Sequence, residues 1–438
     1  MEEQQRPHPA LSTIGFGGTQ AVFSLLSSQA VIHFTALGLH PAEITTVLLS
    51  GPVCGLIFQP FFGSRSDRHQ SRWGRRRPFI VCGSLALIAS MFLLAWADDI
   101  VAALMPRSEH RRAVLVALTA LLAFSIFTAI QAVQVGLRAI VTDNSNNIAE
   151  QTEQNAWAGR HITAAAVLGT AAVFVDYGGG FVGASLLVSA YLAVTILLTC
   201  WINSEQPMDT HDRAPVHKVI REVSPQIRAV LIVQFFSWMG WFPFLYYAVT
   251  YVNSLAAPDS RIGHVTPLAY STVSFLVSML LPRNYANSRI SKRTLWASSH
   301  AIFSLVMLGT LAVRSALGTV ILFSVVGISW AISCQMPHSL IGDELVRLHR
   351  EEKQLADSQG VIHGIHNVAI CLPQIVAMLA MGLMWMAFES VAVDWVLRLS
   401  GVSALLAMGF AMRLEREGRV EDVSMGLLEG VDMEELDL

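Results

Sequence analysis

The sequence contains little charge. Asp, Glu, Lys and Arg make up 14% of its 438 residues, whereas roughly a quarter of the residues in an average soluble domain are charged. Hydrophobic residues reach 53%. So few charges leave too little polar surface for a soluble protein of this length, and the composition therefore indicates an integral membrane protein. The formal net charge of −3 gives no sign of a nucleic-acid partner.

Cysteine is also rare and shows no pairing pattern. The five cysteines lie at positions 54, 82, 200, 334 and 371, and none belongs to a Cys-x-x-Cys pair. We predict that they are small core residues rather than disulfides or metal ligands. His363 and His366 lie one helical turn apart, but no carboxylate or thiolate accompanies them at ligand spacing. Hydrogen-bonded histidines are therefore favoured over a metal site, and no cofactor is predicted.

Two functional classes lack their motifs. The chain has no Gly-rich loop that ends in Lys-Ser or Lys-Thr, which argues against an ATP-driven pump. It also has no group of carboxylates, histidines or cysteines arranged for catalysis at one membrane depth. An integral membrane enzyme is disfavoured for that reason, and no catalytic residue is predicted.

Long apolar runs, by contrast, are abundant. A membrane-spanning helix needs roughly 20 mainly apolar residues, and such runs must be helical because lipid cannot satisfy free backbone groups. The fold is therefore predicted to be all-α, with twelve transmembrane helices. These are expected near residues 14–37, 43–63, 78–97, 113–139, 157–175, 180–202, 228–252, 265–282, 294–313, 316–341, 359–386 and 390–412.

The basic loops predict the orientation. An even number of spans places both termini on one side, and on that side the loops 64–77 and 283–293 are rich in arginine. Such loops stay on the cytoplasmic side of a membrane, so both termini are predicted to be cytoplasmic. No cleavable signal peptide is recognisable, since residues 1–11 are polar. The plasma membrane is favoured over the vacuole as the location. A monomer is favoured as the oligomeric state.

The chain divides into two similar halves around its longest polar loop. Helix four ends in Arg138-Ala-Ile-Val-Thr-Asp143, and helix ten ends in His338-Ser-Leu-Ile-Gly-Asp343. Repeated halves of this kind are typical of transporters that hold their solute between two bundles. The predicted segments are a cytoplasmic N-terminus (1–12), an N-terminal six-helix bundle (13–203), a linker (204–227), a C-terminal six-helix bundle (228–413) and an acidic tail (414–438).

The most specific motif follows helix two. Residues 63–78 read GSRSDRHQSRWGRRRP, residues 240–247 read GWFPFLYY, and residues 364–370 read GIHNVAI. Residues 155–160 at the start of helix five read NAWAGR. With these segments the chain resembles the glycoside–cation symporters of the major facilitator superfamily, which include plant and fungal sucrose carriers. The NAWAGR segment is similar to that of the fungal members. The resemblance implies two pseudo-symmetric six-helix bundles and transport of a small polar solute.

Charges at the cytoplasmic helix ends predict a gate. An aspartate at the end of helix two can accept hydrogen bonds from a neighbouring helix N-terminus, and arginines can pair with carboxylates across the halves. Such contacts would close the inner side of a carrier and break when that side opens. The predicted gating residues are Asp67, Arg68, Gly74, Arg75 and Asp143, with Asp343 and Glu344 as partners from the second half.

A polar face of helix four is the leading candidate for solute binding. Arg138 shares this face with Gln131 and Gln134, and the family resemblance implies a role for Arg138 in sugar recognition. The alternative is that Arg138 reaches the interface or pairs with Asp143. Aromatic residues of helix seven could form a stacking wall or simply pack. The predicted substrate-binding set is Gln20, Gln131, Gln134, Arg138, Trp241, Arg261, Asn367 and Gln374.

The chain departs from the family pattern where a proton-coupled carrier needs an acid. The family's helix-four aspartate falls on Phe127, and no Asp or Glu lies in the middle of any apolar run. Coupling needs a buried group whose charge changes. Coupling therefore runs through a histidine or the interfacial Asp143, or the protein is a uniporter, or the substrate has changed. The candidate coupling residues are His33, Asp143, His161, His338, His363 and His366.

Three functions remain open on the sequence. The first is a secondary transporter for a small polar solute, with sugars and glycosides as the leading class and protons as a candidate co-substrate. The second is efflux of a specialised metabolite, which the missing acids support. The third is a non-transporting membrane sensor, which the short loops disfavour. The expected partners are the solute and the lipid bilayer.

Overall fold

The computed structural model describes residues 8–106, 108–145, 147–174, 180–203, 205, 216–257, 260, 262–287, 290–351, 353–387 and 393–414, and every regular element within them is helical. The N-terminal half contributes six long helices: α1 (Gly15–Ala36), α2 (Pro41–Asp67), α3 (Arg77–Ala95), α4 (Arg111–Asp143), α5 (Ile148–Ala171) and α6 (Gly180–Ile202). The C-terminal half contributes six more: α7 (Pro225–Ser254), α8 (Val265–Asn287), α9 (Lys292–Gly309), α10 (Val326–Arg350), α11 (Gln359–Ala387) and α12 (Val393–Ala411).

Short helices complete the described part of the chain. They span Pro9–Ser12, Ala97–Leu104, Val216–Glu222 and Ala316–Ser324, and single 3₁₀ turns cover Ala172–Phe174, Ile262–His264 and Gln354–Asp357. The Ala316–Ser324 helix leads directly into α10, and the two together form one membrane-spanning segment.

Nine segments of the described chain are long and apolar enough to cross a membrane, and they correspond to α2, α3, α4, α6, α7, α8, α10, α11 and α12. The remaining three, α1, α5 and α9, are more polar. In α5 the polar residues face other helices: Gln151 and Asn155 are buried, and Gln154 accepts a 3.0 Å hydrogen bond from Ser12. A helix whose polar side is buried in protein needs less apolar surface than one surrounded by lipid.

Each half has its own hydrophobic core. In the N-terminal half, Leu87 of α3, Ile126 of α4 and Leu192 of α6 are fully buried in one cluster. The C-terminal half has two large clusters, one around Trp296 and one around Phe303, and a small one of Ala377, Met381 and Val396. The two halves therefore pack as separate bundles that meet along a common interface.

Both ends of the described chain lie at the same end of the molecule as the arginine-rich loop. Asn203, which follows α6, donates to the Ser12 carbonyl at 2.9 Å, and Arg77 donates to the Asn203 carbonyl. In the other half, Arg293 at the start of α9 donates to the Leu414 carbonyl at 3.0 Å. We call this side the arginine-loop end.

The predicted end of helix four at 139 and the predicted start of helix five at 157 are wrong, because α4 continues to Asp143 and α5 begins at Ile148. Asn147 caps α5 by accepting a 2.9 Å hydrogen bond from the Glu150 amide, which is the usual role of an Asn at this position. The start of α5 is polar, so its hydropathy resembles that of a loop. It is nevertheless helical, and its polar side chains are buried against protein. Helix α10 likewise runs to Arg350, nine residues beyond the predicted end at 341.

Several sequence predictions fall outside the described residues. These include most of the linker (204 and 206–215), the acidic tail (415–438), the first seven residues and Arg261. The described remainder of the linker region contains Glu205, the Val216–Glu222 helix and the start of α7.

Candidate functional site

The two bundles approach each other closely where α2 crosses α11. A Cβ added to Gly63 of α2 would lie 2.1 Å from the carbonyl oxygen of Gly360. One turn along α11, a Cβ on Gly364 would lie 2.5 Å from Pro60 Cα. Gly360 and Gly364 form a Gly-x-x-x-Gly pair, a spacing that lets helix backbones touch within a membrane. This crossing has no room for side chains at these glycines.

Asp67, the last residue of α2, caps α11 across this interface. Its carboxylate accepts hydrogen bonds from the amides of Gly360 (3.0 Å) and Val361 (2.9 Å). The first amides of a helix have no partner within it, and the helix dipole favours a negative charge there. Asp67 is buried, so water competes little for these bonds. A charge on one bundle thereby holds the start of a helix in the other.

Arg76 links Asp67 to the end of α4. Its Nη1 lies 2.6 Å from Asp67 Oδ1, and its Nε lies 2.9 Å from Asp143 Oδ2. Nη1 also donates to Ser66 Oγ at 2.7 Å. Burial by itself lowers the pKa of Arg76, but attraction to the two carboxylates exceeds this effect, so the pKa is raised and the guanidinium stays charged.

Arg75 completes the cluster. It forms a two-pronged pair with Asp143, in which Nε donates to Oδ2 at 3.1 Å and Nη2 donates to Oδ1 at 2.6 Å. Asp143 therefore holds both arginines at once, and its pair with Arg75 has the bidentate geometry for which a guanidinium is suited. We call Asp67, Arg75, Arg76 and Asp143 the gate cluster, after the gating role predicted for Asp67, Arg75 and Asp143.

The turn that carries these arginines is held by Glu205. Its carboxylate accepts hydrogen bonds from the backbone amides of Arg75, Arg76 and Arg77 at 2.7, 2.8 and 2.9 Å. Three successive amides that converge on one anion form a backbone nest. Gly74 precedes this turn with φ +96, a left-handed conformation that favours glycine.

Arg68 and Gly74, two further residues of the gating prediction, differ in exposure. Arg68 directly follows α2, and its side chain is exposed. Gly74 is buried beside Glu205. Gly74 therefore shapes the turn of the gate cluster, while Arg68 lies at its solvent side.

A related pair occurs at the equivalent place in the second half. Lys292, the first residue of α9, lies 2.5 Å from Asp343 of α10, as Arg76 before α3 pairs with Asp143 of α4. Lys292 also donates to Thr152 of α5 at 2.9 Å, so this pair too reaches across to the other bundle. The repeat predicted from the sequence thus extends to the charged contacts.

Glu344 pairs with Arg347 on its own helix, through hydrogen bonds of 2.8 Å and 2.7 Å. Asp343 and Glu344 are the predicted gate partners from the second half, and this role stays a prediction. In the structure Asp143 pairs with Arg75, and Asp343 and Glu344 each have a base close by in their own half.

Arg138 lies on the inner face of α4, five residues before the end of the helix. Its guanidinium carbon lies 4.5 Å from the centre of the Phe16 ring of α1, and the side chain is half-buried. It interacts electrostatically with His338 of α10 and with His363 and His366 of α11. Arg138 therefore points between the bundles rather than toward the lipid interface.

The glutamines of the α4 face differ in their environment. Gln131 is buried and donates to the carbonyl of Phe127 at 3.1 Å, while its Oε1 has no hydrogen-bond partner among the described residues. Gln134, one turn before Arg138, is half-buried, as is Gln20 of α1. The role of these glutamines in solute binding stays a prediction.

Three histidines form a cluster between α10 and α11. The ring centres of His338 and His366 are 4.6 Å apart, and those of His338 and His363 are 5.9 Å apart. His366 Nε2 lies 3.0 Å from Gln234 Nε2 of α7, and His363 Nε2 lies 3.0 Å from Thr142 Oγ1 of α4. Within the described residues, no group of three or more His, Cys, Asp or Glu could hold a metal ion.

The other two histidines of the coupling prediction lie elsewhere. His33 stacks on Phe181 with 4.0 Å between ring centres and hydrogen-bonds to the Leu94 carbonyl at 3.1 Å. His161 hydrogen-bonds to the Ala10 carbonyl at 2.8 Å. Both are partners of backbone carbonyls within the N-terminal half, whereas His338, His363 and His366 come together.

The aromatic residues of α7 differ in their exposure. Trp241 is 2% exposed and packs against Phe303 and Trp330 at ring-centre distances of 4.6 and 4.9 Å. Its ring is therefore part of the core and is not available as a stacking wall. Tyr246, by contrast, is 44% exposed.

The two predicted binding residues of α11 differ in their partners, since Gln374 bonds within its own bundle and Asn367 reaches the other one. Gln374 donates to the Tyr246 hydroxyl of α7. Asn367 donates to the Gly55 carbonyl of α2 at 3.1 Å and so connects the two bundles.

Sequence reasoning missed three charged residues of this region. Arg76 is one of three consecutive arginines, and the sequence alone does not say which of them turns inward. Lys292 contributes only to the orientation of a basic loop in the sequence. Glu205 lies in a polar stretch after α6 with no motif around it. The run Arg-Arg-Arg before Pro78 was the available signal for the first.

The geometry is that of a two-bundle membrane carrier, with paired charges across one end and polar groups between the bundles. Residues 21–346 match the family model described as MFS/sugar transport protein. The chain therefore belongs to the MFS/sugar transport family, and the predicted resemblance to the sucrose-carrier group is confirmed.

Curated relatives agree with this assignment. The chain is 25% identical to the general alpha-glucoside permease of Schizosaccharomyces pombe, in an alignment that covers 90% of this chain and 91% of the relative. It is 24% identical to the sucrose transport protein SUC4 of Arabidopsis thaliana, with 83% and 81% covered. Over 208 residues it is 39% identical to the MFS-type transporter cctQ of Talaromyces islandicus, with 41% of this chain and 82% of the relative covered.

Among solved structures, a bacterial homologue of the iron transporter ferroportin in its outward-facing state superposes with a TM-score of 0.68. The match covers 93% of this chain and 99% of that one at 12% identity. At this identity the likeness concerns the fold. It confirms the predicted all-α membrane fold of two six-helix bundles.

Proposed function

We propose that this protein is a secondary transporter that moves a small polar solute across a membrane by alternating access, with glycosides as the leading solute class. The arginine-loop end and both termini are assigned to the cytoplasm, because arginine-rich loops stay on that side. The plasma membrane is the favoured location.

The observation that carries the proposal is the capping of α11 by Asp67. At the arginine-loop end, a charged side chain of one bundle satisfies the free amides of a helix in the other bundle. Such a contact can form and break as a unit when the bundles rock. Lys292 with Thr152 makes a second contact between the bundles at the same end. Both contacts support a conformation that is closed at the arginine-loop end.

The groups between the bundles suit a hydroxyl-rich solute. Arg138 and Gln134 lie on the inner face of α4, and Asn367 and Gln374 lie on α11. Amide side chains both donate and accept hydrogen bonds, as sugar hydroxyls do. The alpha-glucoside permease and the sucrose transporter to which the chain is similar support the same solute class.

Proton coupling is assigned to the histidine cluster in this proposal. Within the described parts of α1 to α12, Asp and Glu lie only toward helix ends. His363 bonds to Thr142, the residue next to Asp143 of the gate cluster. A proton on His363 therefore changes the charge beside the gate, which is a physical route from protonation to opening.

Efflux of a specialised metabolite is the second candidate. It is favoured by the same lack of acids between the bundles, since an exporter can work without accumulating solute by proton symport. The direction of net flux separates the two candidates.

Transport in proteoliposomes tests the proposal. The purified full-length protein is reconstituted, and uptake of radiolabelled sucrose and α-glucosides is followed with and without a pH gradient. Protein-dependent flux of a glycoside supports a transporter of this class. Accumulation that requires the pH gradient, and is lost in His363→Gln but not in His33→Gln, supports coupling through the cluster.

Flux of no glycoside in either direction would contradict the glycoside assignment. Glycoside flux that is the same with and without the pH gradient identifies a uniporter. That result contradicts proton coupling but leaves the glycoside assignment in place.

A further inference from the structure

We propose that residues 415–438 of the acidic tail dock on the exposed arginines of the loop after α2 and so favour closure of the arginine-loop end. The surface consists of Arg65, Arg68 and Arg72, and we call it the basic loop surface. Its occupant is a segment of the same chain that lies outside the described residues. The docking goes beyond the proposed function, while its effect on opening rests on that function.

The basic loop surface presents positive charge to water. Arg65, Arg68 and Arg72 are all exposed. Residues 64–77 contain a single acid, Asp67, which is 2% exposed and pairs with Arg76. Because that carboxylate is buried and faces Arg76 and α11, the loop presents arginines to solvent without a carboxylate of its own beside them. Such a surface attracts a negatively charged partner.

The acidic tail has the complementary charge. Residues 415–438 contain nine Asp and Glu and two Arg, which gives a net charge of −7. The orientation proposed above places this segment and the loop on the cytoplasmic side, where the membrane surface is itself negative. A segment of this charge is repelled by such a surface and attracted by exposed arginines.

The tail begins at the same end of the molecule and is long enough to reach the loop. Leu414, which precedes it, is buried, and its carbonyl accepts a 3.0 Å hydrogen bond from Arg293. A segment of 24 residues spans at most roughly 80 Å when extended, which is several times the diameter of about 10–12 Å of one helix. The tail can therefore cross from one half to the other.

The covalent link favours the tail over a lipid headgroup as the occupant. A tethered segment has a high effective concentration at its target, and several charges on one segment bind together. An anionic lipid headgroup brings its charge to the same arginines without a tether. The tail is therefore the favoured partner of Arg65, Arg68 and Arg72.

A docked tail would join the two halves beside the gate cluster. The tail continues from α12 of the C-terminal half, whereas the loop connects α2 to α3 in the N-terminal half. The same loop leads into Arg75 and Arg76, which pair with Asp143. Docking adds a contact between the halves that must break before the arginine-loop end opens. The tail would thus act as a brake on opening.

Binding of the tail as a separate peptide tests the docking. The protein is truncated after Leu414, which keeps every described residue, and is placed in nanodiscs of phosphatidylcholine, a lipid without net charge. Binding of a fluorescent peptide of residues 415–438 is measured by anisotropy. We expect saturable binding that weakens at least about tenfold in the double variant Arg65→Gln, Arg72→Gln. Added salt should weaken it as well, because salt screens exposed charges.

Two controls separate the loop from charge in general. The double variant Arg112→Gln, Arg314→Gln removes two exposed arginines at the opposite end of the molecule and should keep the affinity for the peptide. A peptide in which every Asp and Glu is replaced by Asn or Gln should not bind. Arg65 and Arg72 are exposed, so their replacement leaves the core of the protein unchanged.

The brake is measured on the full-length protein. Truncation after Leu414 should raise hydrogen exchange in residues 64–77, because the loop loses its partner. It should also raise the initial rate of solute flux in proteoliposomes by about threefold or more, because loss of a contact that favours the closed end shifts the population toward opening.

The absence of peptide binding would overturn the docking, as would equal binding to the truncated protein with and without Arg65→Gln, Arg72→Gln. Loss of peptide binding in nanodiscs that contain phosphatidylserine would assign the surface to lipid headgroups instead. Peptide binding with unchanged exchange and flux on truncation would contradict the brake. Peptide binding needs no transport, so docking without flux of any solute contradicts the proposed function alone, and glycoside flux without docking contradicts this inference alone.

Discussion

Asp67 and Gly360 join the two bundles through one hydrogen bond between a carboxylate and a helix-starting amide, with Asp67 Oδ1 at 3.0 Å from the Gly360 nitrogen. Gly360 also lies at the crossing where α2 and α11 touch backbone to backbone. Electrostatic and steric complementarity therefore coincide at one point of the interface. Substitutions at this point should weaken the conformation that is closed at the arginine-loop end more than they lower the stability of either bundle.

Replacing the Asp67 carboxylate should weaken the closed state. In Asp67→Asn the charge that faces Arg76 and the α11 amides is lost, and breaking a buried pair of this kind costs about 3–5 kcal/mol. We expect faster hydrogen exchange at the amides of Gly360 and Val361, together with a lower transport rate. Asp98→Asn, in an exposed pair with Arg111, is the control. An Asp67→Asn protein with unchanged exchange and transport would show that this contact is not a gate.

Arg76 should not tolerate lysine. Its guanidinium bridges Asp67, Asp143 and Ser66, whereas a lysine ammonium is a single point charge on a flexible stem. In Arg76→Lys we expect at least one carboxylate to lose its partner and transport to fall by roughly tenfold or more, equal to about 1.4 kcal/mol. Arg72→Lys changes an exposed arginine of the same loop and should have little effect. Equal transport by the two variants would refute the bridging role.

A methyl group at Gly63 should hold the bundles apart. The added Cβ would lie 2.1 Å from the Gly360 carbonyl oxygen, and approaches below 3.0 Å are essentially never observed. In Gly63→Ala we expect increased exchange along the start of α11 and a shift away from the closed state. Gly409→Ala, where a Cβ meets nothing within 4 Å, is the matched control. Identical exchange in both variants would mean that α2 and α11 adjust without separating.

Loss of the Lys292 contacts should weaken the closed state, as loss of the Asp67 carboxylate does. Lys292 links Asp343 of its own half to Thr152 of the other. In Lys292→Met both contacts are lost while much of the side-chain volume remains, so we expect transport to fall and the start of α5 to exchange faster. Lys353→Met, which removes an exposed partner of Glu351, serves as the control. A loss confined to expression level, with normal turnover per molecule, would indicate a folding role only.

The loop after α2 shows how far sequence reasoning reached. Its composition predicted orientation and family, and Asp67 could be assigned as a helix cap because an aspartate at a helix end can accept from the free amides of a neighbouring helix. Which arginine pairs with it could not be predicted. Arg75, Arg76 and Arg77 are adjacent and chemically identical, and the course of the turn held by Glu205 directs Arg76 toward Asp67.

For the predicted binding residues, too, the sequence predicted one part and the structure decided the rest. The spacing of Gln131, Gln134 and Arg138 predicted one face of a helix, since residues three and four apart lie on the same side. Trp241 was chosen by its place in an aromatic stretch of helix seven, yet the structure buries it among aromatic residues. Helical spacing gives relative angles around one axis. It does not say which face meets the other bundle.

The sequence by itself determined that this is a membrane protein of two six-helix halves, because hydrophobic length and repeated charge patterns are local properties of the chain. It also determined that acids are missing from the middle of the helices. Only the tertiary structure decided that His338, His363 and His366 meet near Arg138, since these residues come from three helices whose rotation and depth depend on packing. The same packing decided that the carboxylate of Asp67 faces α11, because a partner 293 residues away along the chain leaves no local trace.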